Sequence, residues 1–144
     1  MPSTNTEWKA EEAVKVWLAT DSTLNGLAGG IVHGDATSEI VMPRIIVRAI
    51  GADEDPANSG NSRVDLQILL NFQRDAETEA TLKDYWGRIN DKIFYDALPS
   101  ELSGGVTGFH CFGVIRNRSA EHDFKDRTAV KIFNLSVICC PTDL

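Results

Sequence analysis

The stretch Arg63-Val64-Asp65-Leu66-Gln67-Ile68-Leu69-Leu70-Asn71-Phe72-Gln73 decides the fold class. Val64, Leu66, Ile68, Leu70 and Phe72 alternate with Arg63, Asp65, Gln67, Leu69, Asn71 and Gln73. A period of two sends the first set to one face of a strand and the second set to the other. One face is apolar and the other mostly polar, the pattern of an antiparallel sheet covered on one side only. Upstream, residues 44–50 (RIIVRAI) form a β-branched run expected to end at Gly51. Downstream, residues 109–116 and 128–140 read as two further strands, the last closed by Pro141. Residues 31–33 suit a short strand. The long runs 63–73 and 128–140 are expected to offer edges for pairing with another chain.

Helical spacing flanks these strands. Trp8, Ala10, Ala13, Val14, Trp17 and Leu18 recur at intervals of three and four, with Glu11, Glu12 and Lys15 off that face. Thr4 and Glu7 have the form of a capping box at its start. Asp21 can cap a short turn through Leu24 and Leu27. A second helix is expected from a cap at Asp75 to Leu98, stopped by Pro99, with Leu82, Tyr85, Trp86, Ile89, Ile93 and Ala97 as its apolar stripe. Its Glu79–Lys83 and Asp84–Arg88 pairs lie at the favourable i,i+4 spacing. Gly87 costs about 1 kcal/mol relative to Ala inside a helix and predicts a close approach to the sheet. Trp17, Leu66, Ile68, Trp86, Ile89 and Ile132 are the expected core. This order of elements predicts an α+β fold: a single mainly antiparallel β-sheet with two main helices packed on one face, in one domain over residues 1–144.

The chain has 144 residues, and its 21 acidic side chains outnumber 14 Lys+Arg for a net charge of -7. A protein whose main task is to grip phosphate backbones needs a cationic excess, so nucleic-acid binding is disfavoured as the primary role. No apolar run approaches the ~18 residues that span a bilayer. Residues 1–7 lack the basic-then-apolar layout of a signal peptide. The three cysteines are odd in number, and two of them, Cys139 and Cys140, are adjacent. They read as reduced thiols of a protein made in a cytoplasm, with no membrane partner.

Catalytic signatures are missing: there is no Walker loop, dinucleotide-binding fingerprint, zinc-protease helix or nucleophile elbow. His110 and Cys111 are neighbours on a strand and must point to opposite faces, which separates a thiol from its nearest base. Cys139 and Cys140 lack zinc-ligand spacing, with one expected in the core and the other out of it. His33 and His122 read as solvated. The chain therefore reads as non-enzymatic, with no catalytic residue, metal or cofactor. Its candidate partner-binding residues are Asp53, Glu54 and Asp55, in an acidic loop expected over residues 51–62, and Phe124, Lys125 and Arg127 in a charged hairpin. An aromatic within alternating charge has the form of an interface anchor, an apolar plug with a polar rim, although Phe124 could also fold back on its own hairpin.

The layout resembles the tail-terminator and tail-completion proteins of tailed bacteriophages. The stretches Ala13-Val14-Lys15-Val16-Trp17-Leu18-Ala19-Thr20-Asp21 and Leu24-Asn25-Gly26-Leu27-Ala28-Gly29-Gly30-Ile31-Val32 are similar to the family's opening helix, Asp, Leu-x-x-Leu, Gly and Ile. Pro43-Arg44-Ile45-Ile46-Val47 is similar to its next strand, with Arg44 where an aromatic is common. Val64-Asp65-Leu66-Gln67-Ile68, the helix to Leu98 and the closing strand 128–137 complete the likeness. The resemblance implies a virion protein of the tail or neck, without chemistry. It implies a homo-oligomeric ring, commonly a hexamer, at the head-proximal end of the tail tube. Tail tube protein and neck or connector proteins are then the partners, and DNA is only passing cargo in the channel. A head-completion connector, a generic bacterial adaptor and a small thiol-dependent enzyme using Cys111 are the alternatives.

Overall fold

The computed structural model describes residues 2–33, 41–54, 62–73, 78–116, 120–123 and 128–141. In chain order the elements are α1 (Pro2–Ala19), α2 (Ser22–Asn25), β1 (Ile31–His33), β2 (Arg44–Glu54), β3 (Ser62–Gln73), α3 (Glu79–Ile93), α4 (Leu98–Gly105), β4 (Phe109–Arg116), β5 (Ala120–Asp123) and β6 (Thr128–Pro141). They form one six-stranded sheet in the order β1-β2-β3-β6-β4, with β5 also paired to β6. All pairings are antiparallel except β1 with β2, which is parallel. The fold is α+β, as its sequence pattern implies. The strands expected to supply free edges, β3 and β6, instead fill the middle of the sheet; the borders belong to β1, β4 and β5.

The period of two in β3 organises the core. Val64, Leu66, Ile68, Leu70 and Phe72 are all buried, opposite Val137, Leu135, Phe133, Lys131 and Ala129 of β6. Ile45 and Val47 of β2 continue this face. Ala10, Ala13, Val14 and Leu18 of α1, Leu82, Ile89 and Ile93 of α3, and Leu98 and Leu102 of α4 complete the same buried cluster. Every helix that contributes therefore lies on one face of the sheet. Phe72 meets Trp86 edge-on at 6.0 Å between ring centroids, which ties α3 to the middle of the sheet.

Helix boundaries depart from the pattern in instructive ways. α1 starts at Pro2, so Thr4 lies inside the helix and is not its cap; proline suits a first turn, where its missing N–H has no partner to lose. Trp8 is exposed, while Lys9 and Glu11 are buried. Ala10 and Ala13 let α1 come close to the sheet, and the two charged side chains end on backbone partners. Lys9 Nζ donates to the Gly108 carbonyl at 3.0 Å, and Glu11 Oε2 accepts from the Ala49 amide at 2.7 Å. Ala49 lies beyond the reach of β1 on that border of β2, so the carboxylate satisfies an edge amide.

Asp21 caps α2, accepting from the amides of Thr23 and Leu24 at 2.9 and 3.1 Å. α3 is capped by Thr78, whose hydroxyl accepts from the Thr81 amide at 3.1 Å, and ends at Ile93; Asp75 lies outside the described residues. Pro99 does not stop α3. It sits in the first turn of the separate helix α4, where its fixed φ is accommodated. A Cβ built on Gly87 meets nothing within 4 Å, so no close approach to the sheet requires this glycine. Gly29 is the residue that does require a bare Cα: a Cβ there would lie 2.0 Å from the Val41 carbonyl oxygen. Ile132, expected in the core, points to the other side of the sheet and is half-buried, because its register partner is Leu69.

Candidate interaction surfaces

Among the described residues, no helix lies on the second face of the sheet. Its residues follow from the same alternation. Val32, Ile46, Leu69 and Ile132 stand in register across four strands, and none belongs to the buried cluster. Beside this apolar row runs a polar one. Arg48 donates through Nε and Nη2 to Gln67 Oε1 at 3.0 and 2.8 Å, and Gln67 Nε2 donates to Asn134 Oδ1 at 3.4 Å. The next row holds Asp65 and Ser136. Ser136 Oγ donates to Asp65 Oδ1 at 2.6 Å, and Arg63 Nε lies 3.2 Å from the same oxygen.

Two β-bulges rework this face. The β2–β3 register shifts between Ala49 and Gly51, and the β4–β6 register shifts between Cys111 and Gly113. The extra residues are Ile50 and Phe112, exposed by 55% and 54%. A bulge re-aims its side chain, and here each one lifts a large apolar group into solvent. Ile115, also exposed, aligns with Ser136. Beside Ile50 lies a shallow depression of about 280 Å³, lined by Ile50, Arg63, Asp65, Asn134 and Ser136 among others. Apolar shoulders flanking hydrogen-bonded polar groups suit contact with another protein.

A second surface lies where α3 ends. Phe94 and Tyr95 are 56% and 45% exposed. Their backbone is held from two sides. Arg116 of β4 donates through Nε to the Ile93 carbonyl at 2.7 Å and through Nη2 to the Tyr95 carbonyl at 3.1 Å. Trp17 of α1 donates to the Lys92 carbonyl at 2.9 Å. The rings also carry cations: the Arg116 guanidinium lies 5.6 Å from the Phe94 ring, and Lys92 Nζ lies 3.9 Å from the Trp17 ring, which itself meets Tyr95 at a 45° tilt with 5.2 Å between centroids. Asp91, Phe94, Tyr95, Asp96 and Ala97 line an open cleft of about 380 Å³ at this corner.

The residues singled out by sequence fall elsewhere. Asp53 and Glu54 belong to the backbone of β2, paired with Arg63 and Ser62, so strand replaces the expected loop over residues 51–54 and at Ser62. Their side chains lie outside the described residues, as do Asp55, Phe124, Lys125 and Arg127. His110 is exposed on the helix-free face, and Cys111 is buried on the core face opposite Cys139, as adjacent strand positions require. Burial pushes the Cys111 thiol up to about 11, even with its Sγ 3.4 Å from the Gly113 carbonyl. Burial, with Cys111 and Cys140 nearby, pushes Cys139 up to about 12. A protonated, enclosed thiol is a poor nucleophile. Cys140 is half-buried, on the other side from Cys139. Among the described residues no cluster of three His, Cys, Asp or Glu could hold a metal ion. No helix there is long and apolar enough to cross a membrane.

The bulged residues were missed, although a signal existed. Ile50 and Phe112 each precede a glycine, Gly51 and Gly113, and a glycine inside a strand pattern marks a bulge.

This architecture has a solved counterpart. It is a chain in the virion of a native gene transfer agent particle, with a TM-score of 0.62 and 16% sequence identity, over 90% of this chain and 93% of that one. The two chains share a fold. No family model matches the sequence, and no curated protein does.

Proposed function

We propose that the chain is a structural component of a phage-like virion, a ring subunit at the head-proximal end of a tail tube. The observation that carries this reading is the fold shared, over nearly the whole of both chains, with a chain of a gene transfer agent virion. The helix-free face supports it, because a virion subunit works through surfaces. A closed ring needs two different patches on each subunit, one for each neighbour, and a further surface for the tube or neck. The bulged sheet face and the corner at the end of α3 are separate surfaces of suitable kind. The net charge of -7 suits a channel through which DNA passes without binding. The buried thiols support a role without catalysis. In this reading the ring, hexameric by resemblance, ends tube growth and joins tail to neck.

The test is electron microscopy of the purified chain, alone and mixed with tail tubes. Closed rings of one size, free or seated on tube ends, are the expected result. Open filaments, or monomers that leave tube ends bare, would contradict the reading.

A further inference from the structure

We infer that the corner at the C-terminal end of α3 is the receptor for a basic segment of a second copy of this chain, residues 124–127. The inference rests on the ring reading, and it names one of the ring's contacts.

The corner is built to take a cation. Two carboxylates, Asp91 and Asp96, flank the exposed rings of Phe94 and Tyr95 around one cleft. Neither carboxylate has an ion-pair partner among the described residues. The C-terminal end of a 15-residue helix adds its own partial negative charge. Aromatic faces and carboxylates together hold ammonium and guanidinium groups, by quadrupole attraction and by charge-assisted hydrogen bonds. The molecule already shows the mode next door, with Arg116 at the Phe94 ring and Lys92 over the Trp17 ring. Arg116 and Trp17 also fix the carbonyls beneath the corner, so its shape is set before a partner arrives. Preorganisation of this kind lowers the entropy cost of binding.

Charge complementarity selects the occupant. The described cations are largely engaged within their own chain: Lys83 with Glu79, Arg88 with Asp21 and Asp84, Arg63 with Asp65, Arg48 with Gln67, and Lys9 with the Gly108 carbonyl. Phe124-Lys125-Asp126-Arg127 carries two cations and an aromatic within four residues. Two cations match two carboxylates, and Phe124 matches the exposed rings. Receptor and occupant are different parts of the chain, so the contact is head-to-tail and propagates around a ring.

Sedimentation velocity over a concentration series of the full-length chain tests this, with circular dichroism as the folding control. Asp91→Lys with Asp96→Lys should weaken self-association by ~10-fold or more, and so should Lys125→Glu with Arg127→Glu. The milder pair Asp91→Asn and Asp96→Asn should weaken it in the same direction and guards against misfolding. All four charge reversals in one chain should restore association, because the pairing is then inverted and intact. Association unmoved by the single sets, or no recovery in the combined chain, would overturn the inference while leaving a ring seen by microscopy in place. A wild type that does not associate up to its solubility limit would also overturn it. Recovery in the combined chain, with open assemblies in place of rings, would keep the contact and defeat the ring reading.

Discussion

The two faces of one sheet are written in the same strands and do opposite things. On the helix side, β3 offers Val64, Leu66, Ile68, Leu70 and Phe72, and three longer helices seal them. On the other side, β3 offers Arg63, Asp65, Gln67, Leu69 and Asn71, and its β6 partners there are Ile138, Ser136, Asn134, Ile132 and the buried Val130. The helix side carries most of the stability. The open side is hydrogen-bonded laterally, through Arg48–Gln67–Asn134 and Arg63–Asp65–Ser136, and then roughened by the two bulges. Alternation sets which residues face out. The bulges set which of them protrude.

The contrast is sharpest for Phe72→Ala on the helix side. Phe72 is fully buried and packs on Trp86, so its loss should cost ~3–5 kcal/mol, read from the urea midpoint. A small effect would mean that α3 is not part of the seal. Glu11→Ala comes next. It strands the Ala49 amide at the border of β2 and should cost ~1.5–3 kcal/mol, with faster amide exchange confined to that part of β2.

Asp21→Ala should cost ~1 kcal/mol through the lost cap of α2. This effect depends on pH. Partial burial pulls the Asp21 carboxyl up, but the Leu24 amide, the Arg88 guanidinium and the Thr23 amide outweigh it and hold the group below its ordinary 3.8. The folded carboxyl thus keeps its charge where the unfolded one takes up a proton. Its stabilisation is complete above the ordinary value and fades as pH falls through the folded one. The gap between wild type and variant should therefore narrow in acid titrations of the melting temperature.

Gly87→Ala runs the other way. Its Cβ meets open space on an exposed side of α3, so the substitution should stabilise by ~0.4–1 kcal/mol. A loss of stability would show that a surface there is spoken for.

How much of this was legible follows from which physics is local. The period of two in residues 63–73 and the caps and i,i+4 pairs depend on near neighbours, and the Lys83–Glu79 and Arg88–Asp84 contacts formed at 3.3 and 3.0 Å. Glu11 was misplaced because its burial depends on an amide 38 positions away. Trp8 was misplaced because helical spacing cannot tell which side of a wide apolar arc the sheet will meet. Pro99 was read as a stop when it is a start, since a proline suits either side of a helix boundary. The corner at Phe94 and Tyr95 was hidden because Arg116 and Trp17 build it from two other elements. Asp53 and Glu54 were assigned to a loop because the bulge after Ala49 breaks the alternation that would have carried β2 through Gly51.

The smallest effect on folding should accompany the largest effect on assembly. Ile50→Asp combined with Ile115→Asp alters only exposed positions of the helix-free face, so the unfolding free energy read from urea titration should change by less than ~0.5 kcal/mol per site. The decisive measurement is the amount of this chain retained in purified phage-like particles assembled with wild type or with the double variant. Loss of the variant from particles, with an unchanged unfolding midpoint, is the predicted result. Variant and wild type incorporated in equal amounts would contradict the claim that this face exists for assembly.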